Sequence, residues 1–233
     1  TCFPELAGAM AAMRTGLRQS AKFDLGEHDA ESNNALFMTG QEIVEEGLFH
    51  LPYDMTYLEI GVCGHHFAGM FAQIPEKKEI TCNLFEPSHG VWALHRFGVW
   101  WDYERGRITS LRLNGDVEKW DDVDAAHMHV WNCCAILLYM ATALLNQNSV
   151  DIVLSPAPER LNRARAKKNK LPLYEHHVVK MPALTKTGRV LSRGGSHASP
   201  RQHWRRGHVR VLHRELPNEK KIIIPACLIN GRG

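Results

Sequence analysis

Apolar and polar positions along the chain repeat with two periods, and the boundary between them suggests the architecture. "PELAGAMAAMRTGLRQSAKF" (4–23) opens with a proline suited to a first helical position and continues in Ala, Leu and Met, which predicts a helix. The polar stretch "DLGEHDAESNN" (24–34) reads as a loop. "TGQEIVEEGLF" (39–49) places Thr39 and Glu42 at capping-box spacing, so a short helix is expected there, ended by Gly47. From residue 55 the pattern changes. "MTYLEIGV", "FAGMFAQI", "EITCNLFE" and the aromatic-dense "GVWALHRFGVWWDY" are short, rich in β-branched and aromatic residues, and separated by Gly and Pro. "RITSLRLNG" (107–115) alternates as a half-exposed strand does.

The helical period returns from about Ala125 to Asn146, with Asp121 and Asp124 as candidate N-caps. Its apolar run "CCAILLYMATALL" is shorter than the about 20 residues of a bilayer span. A buried helix with Ile136, Leu137, Met140, Leu144 and Leu145 in the core is the expectation, and no membrane association is expected. After the strand-like "VDIVLS" (150–155), a short basic helix is expected within 156–172. A strand at 173–181, a turn-rich connector at 185–196, and a hairpin of "GHVRVLHRE" and "KKIIIPACLI" around "LPNE" follow. The predicted class is α+β. An acidic α/β region (1–155) surrounds the long helix, and a basic β-rich region (156–233) follows, with one continuous domain as the alternative.

Charge sharpens that division. Residues 1–155 hold 10 Lys and Arg against 21 Asp and Glu, a net −11, while residues 156–233 hold 18 against 4, a net +14. Such a split suits an anionic partner for the second region or an electrostatic contact between the two. "SHASPRQHWRRGHVRVLH" (196–213) concentrates the cations and adds Trp204. Clustered arginines fit phosphates, and an interleaved aromatic stacks on an unpaired base. The expected nucleic-acid surface comprises Arg160, Arg163, Arg165, Lys167, Lys168, Lys170, Arg193, Arg201, Trp204, Arg205, Arg206 and Arg210.

Histidine adds a second possibility. His203 and His208 are candidates for the base and acid of a metal-independent nuclease, because imidazole titrates near neutral pH. No defined spacing supports the pair, so binding without catalysis is the first reading. The stretch "CGHH" brings Cys63, His65 and His66 together, with Cys82 on a neighbouring strand. Adjacent histidines on a strand point to opposite faces, and His127 and His129 diverge on a helix, so no metal site is expected. No nucleotide-binding or nucleophile motif occurs, and no cofactor is expected. Six cysteines without a CxxC pair suit a reducing, cytoplasmic setting, and no secretory leader is recognisable.

The pattern "GGSHASPRQHWRRGHVRVL…KKIIIPACLING", preceded by "PERLNRARAKKNKLPLYEHHVV", resembles the C-terminal segments of uncharacterised bacteriophage and prophage proteins. The resemblance covers about the last 80 residues and carries no assigned activity. It implies a phage-encoded protein acting in the host cytoplasm. The expected partner is nucleic acid or, as an alternative, a host defence nucleoprotein complex that the protein inhibits.

Overall fold

The computed structural model describes residues 13–49, 51–89, 91–102, 107–113, 116–118, 125–146, 150–170, 172–180, 203–214 and 219–229. The protein is α+β. Among the described residues, nine strands form one mixed sheet in the order β7-β6-β5-β4-β3-β2-β1-β9-β8. The strands are β1 (Ala21–His28), β2 (Met55–Val62), β3 (His65–Ile74), β4 (Glu79–Ser88), β5 (Val91–Asp102), β6 (Arg107–Leu113), β7 (Asp116–Glu118), β8 (Asp151–Ser155) and β9 (His176–Lys180). From β2 to β7 the chain runs as an antiparallel meander, and β1 lies parallel to both of its neighbours, β2 and β9. Thus β9, from the basic part of the chain, lies between β1 and β8 of the acidic part.

Two helices cover one face of the sheet: α2 (Ala30–Glu45) and α3 (Ala125–Leu145). The alternation on β2 turns Thr56, Leu58 and Ile60 to this side, where Leu58 and Ile60 are fully buried. Leu137, Met140 and Leu144 of α3 are buried in the same core, and Ile136 and Leu145 pack at its margin. By length and composition, Met128–Leu145 is apolar enough to cross a membrane; here most of it is covered by protein. The two helices approach so closely that a Cβ on Gly40 would overlap the Tyr139 carbonyl, which leaves room only for glycine. On the opposite face, the helical residues 13–19 (α1) cover a smaller cluster in which Met13, Leu17, Met55 and Tyr57 pack around Ala68, Met70 and Phe85.

Two sequence expectations need correction. Residues 24–34 are not a loop: β1 runs through His28, with Phe23 and Leu25 buried and Lys22 and Asp24 on the other face. Nor does the next helix begin at Thr39. The Asp29 carboxylate accepts the Ser32 backbone N–H at 2.8 Å and caps α2 ten residues earlier. Thr39 is a mid-helix residue whose hydroxyl donates to the Ala35 carbonyl at 2.6 Å. Asp121 and Asp124, the connector 185–196 and the turn 216–218 lie outside the described residues.

Beyond the sheet, α4 (Glu159–Ala166) links β8 to β9. Among the described residues, two small antiparallel ladders follow: β10 (His203–Arg205) with β13 (Cys227–Ile229), and β11 (His208–Leu212) with β12 (Lys220–Ile224). The expected single strand at 220–229 is broken at Pro225, which has no N–H for a ladder, so each half takes a different partner.

Candidate nucleic-acid interface

The basic helix α4 stands at the sheet edge with no buried residue. Glu159 in its first turn and Arg163 and Arg165 in its last match the helix dipole. Glu159 and Arg163 approach to 3.8 Å, but both are strongly exposed, so the pair contributes well under about 1 kcal/mol. What holds the segment in place is Asn162. Its amide donates to the Leu173 carbonyl and accepts the Leu173 N–H, both at 2.7 Å. Arg160, Arg163, Lys167, Lys168 and Lys170 are exposed, and Arg165 is half-buried. Five of the six expected cations here are therefore open to solvent.

The second group of expected cations is placed differently. The small ladders dock on the acidic side of α2. Glu42 receives Arg206 Nη2 at 2.7 Å and the Val209 N–H at 2.8 Å, and Glu31 receives the Trp204 N–H at 2.8 Å. Lys221 meets the Glu46 carboxylate at 2.9 Å. The Thr39 hydroxyl also accepts the Gly207 N–H at 2.9 Å. A Cβ on Gly207 would lie 2.6 Å from the Ala226 nitrogen, so this contact needs glycine. Arg206 is thus engaged within the chain, whereas Arg205 and Arg210 are exposed. His203 and His208 are both exposed and stand on separate ladders, β10 and β11. The half-buried Trp204 lines a cavity of about 300 Å³ with Gly26, Glu27, His28, Asp29, Ser32 and Val179. Arg193 and Arg201 lie outside the described residues.

A feature the sequence reading missed adjoins α4. Residues Pro172, Leu173 and Tyr174, just beyond the Lys167–Lys170 turn, form one wall of a cleft of about 570 Å³ on the α1 side of the sheet. Tyr57, Phe85 and Trp92 supply further rings. Asp24 and Glu59 lie on its floor, paired in register on the parallel strands β1 and β2 and so about 4.8 Å apart along the sheet. Burial raises the Glu59 pKa and the Asp24 charge adds to it, against the opposing pull of His66 and His176. Lys22 sits 4.5 Å above the Tyr174 ring and donates to the Ser20 carbonyl at 2.7 Å; burial lowers its pKa, with Glu175 opposing. The cleft thus combines ring faces with hydrogen-bond acceptors beside a cationic ridge. Its sequence signal was the alternation Lys22–Phe23–Asp24–Leu25, too short to outweigh the polar residues after it.

The "CGHH" stretch holds the two-residue β2–β3 turn, Cys63 and Gly64, and the first two residues of β3. Cys63 and Gly64 adopt φ of 51° and 81°, the left-handed pair a two-residue hairpin needs. Glu27 secures the turn by accepting the Gly64 N–H at 2.9 Å, and its other oxygen lies 3.5 Å from His66 Nε2. Comparison with family models, with curated proteins and with solved structures finds no match to this chain.

Proposed function

We propose that the protein is a phage-encoded nucleic-acid-binding protein whose α4 ridge takes the phosphate backbone. The neighbouring aromatic cleft receives an unpaired base. The observation that carries this reading is a basic helix with no buried residue, continuous in the chain with the wall of a ring-lined cleft. A helix with no buried residue is not held by a core, so its charge is available to a partner. Ring stacking tolerates any base, and carboxylates such as Asp24 and Glu59 accept hydrogen bonds from exocyclic amino groups. Phosphates remain on the ridge, away from those carboxylates. Arg205 and Arg210 add a second, smaller cationic surface.

The test is binding of a fluorescent single-stranded oligonucleotide and of its duplex, in about 50 and 200 mM salt. With six phosphate contacts at a slope of about −0.7 each, single-strand affinity falls by roughly 300-fold across that range. Equal affinity for strand and duplex counts against the base-binding cleft. A flat salt response or no binding at the lower salt overturns the reading as a whole. Time-dependent cleavage that disappears with His203→Ala or His208→Ala supports the nuclease alternative. Nuclease-resistant capture of a host nucleoprotein complex supports the inhibitor alternative.

A further inference from the structure

On the helix-covered face of the sheet, three side chains with metal-ligand atoms converge. His129 and Cys133 are one turn apart on α3, and Glu86 comes from the end of β4. His129 Nε2 lies 2.9 Å from Glu86 Oε1 and 3.8 Å from Cys133 Sγ, and the three donor atoms all lie within 4.8 Å of one another. They are graded by depth: the His129 side chain is half exposed, Glu86 is partly covered, and Cys133 is buried beneath them. The other two cysteines nearby are differently occupied, since Cys82 and Cys134 share a hydrogen bond deeper in the core.

We propose that Glu86, His129 and Cys133 form a Zn²⁺ site whose fourth tetrahedral position is held by water and reached from solvent. Typical zinc bond lengths put ligand nitrogen and oxygen about 3.4 Å apart, and nitrogen and sulfur about 3.6 Å apart. The 2.9 and 3.8 Å separations therefore need adjustments of only a few tenths of an ångström. The donor set also selects the metal. One sulfur, one imidazole and one carboxylate suit zinc, whereas magnesium and calcium take oxygen. One thiolate and one carboxylate neutralise a divalent cation, so the loaded site carries no net charge into the protein. Loading transfers the Cys133 thiol proton to the solvent and forms the Zn–S bond. His129 binds through Nε2 with its remaining proton on Nδ1. Three protein ligands with one open position is the arrangement of zinc sites that act on a bound water, rather than of closed structural sites.

The test uses the full chain, stripped with a chelator and titrated with Co²⁺ as a spectroscopic substitute for zinc. One equivalent should bind, with tetrahedral d–d absorption and a thiolate-to-cobalt charge-transfer band, and zinc should displace it. Cys133→Ser should abolish the charge-transfer band, while Cys63→Ser and Cys82→Ser retain it. His129→Gln, at a half-exposed position that the fold tolerates, should weaken binding by about 100-fold or more. Glu86→Gln should act in the same direction. No saturable binding by the native chain overturns the site. So does a charge-transfer band that survives Cys133→Ser or an affinity unchanged by His129→Gln.

Discussion

Helices α3 and α4 show two different reasons for a helix to exist. In α3, Leu137, Leu138, Met140, Ala141 and Leu144 are all but fully buried, and the residues from Cys133 to Leu145 carry no charge. In α4 no residue is buried, Leu161 is 49% exposed, and four of the eight residues are charged. The first is held by the area it removes from water. The second is held from its middle by the Asn162–Leu173 bonds and at its ends by the strands it joins. Substitutions in α3 should therefore register in stability, and substitutions in α4 in binding.

The largest expected effect is Leu137→Ala, which should lower unfolding free energy by about 2–5 kcal/mol in urea titration. The matched change Leu161→Ala in α4 should stay within about 0.5 kcal/mol. Similar losses for the two would erase the distinction. Next is Glu42→Ala, which strands the Val209 N–H and the Arg206 guanidinium. A loss of about 1–3 kcal/mol is expected, together with faster proteolysis of the 203–229 ladders. If stability is unchanged, those ladders are not anchored by α2.

The third prediction concerns pH. His28 is buried, and its Nε2 lies 2.9 Å from the Leu25 carbonyl. Burial holds its pKa below 6.5, against the opposing effects of the Leu25 carbonyl, Glu27 and Asp29. Above pH 6.5 the ring is neutral in both folded and unfolded chains. As the pH falls below that, the unfolded chain takes up the proton first, so His28 costs the native state up to about 1.4 kcal/mol per pH unit until its own pKa is reached. Denaturation midpoints between about pH 7.5 and 5.5 should decline less steeply in His28→Gln. The smallest effect on stability is expected from Arg160, Lys167 and Lys168 changed together to Ala. It should stay within about 0.5 kcal/mol, while the salt slope of single-strand binding flattens by about 2.

The same contrast explains what could be read in the chain. α3 was recognisable because a long apolar helix needs no partner to declare itself, and the meander because its strands alternate between turns. β1 was missed because its two buried apolar positions, Phe23 and Leu25, sit among polar neighbours, and its pairing with β9 is invisible locally. The sequence flagged the cations but not their fates. Nothing near Arg206 signals that Glu42, 164 residues away, takes it up. Nor did the apolar setting of α3 draw attention to His129 and Cys133, although their i, i+4 spacing was there to see.

The position of β1 has a consequence for synthesis on the ribosome. It is an interior strand, yet one of its neighbours, β9, is encoded far downstream: His177 Nδ1 meets the Lys22 carbonyl across a sequence separation of 155 residues. At about 5–20 residues per second, β2 is finished roughly 6–23 s before β9 can cover the open side of β1. For that interval β1 is a sheet edge with unpaired amides, and Phe23 lacks the His177 ring that stacks on it at 4.8 Å. A chain stalled before residue 176 would hold that edge open indefinitely, which makes the nascent protein most prone to aggregation just before its last sheet strand arrives.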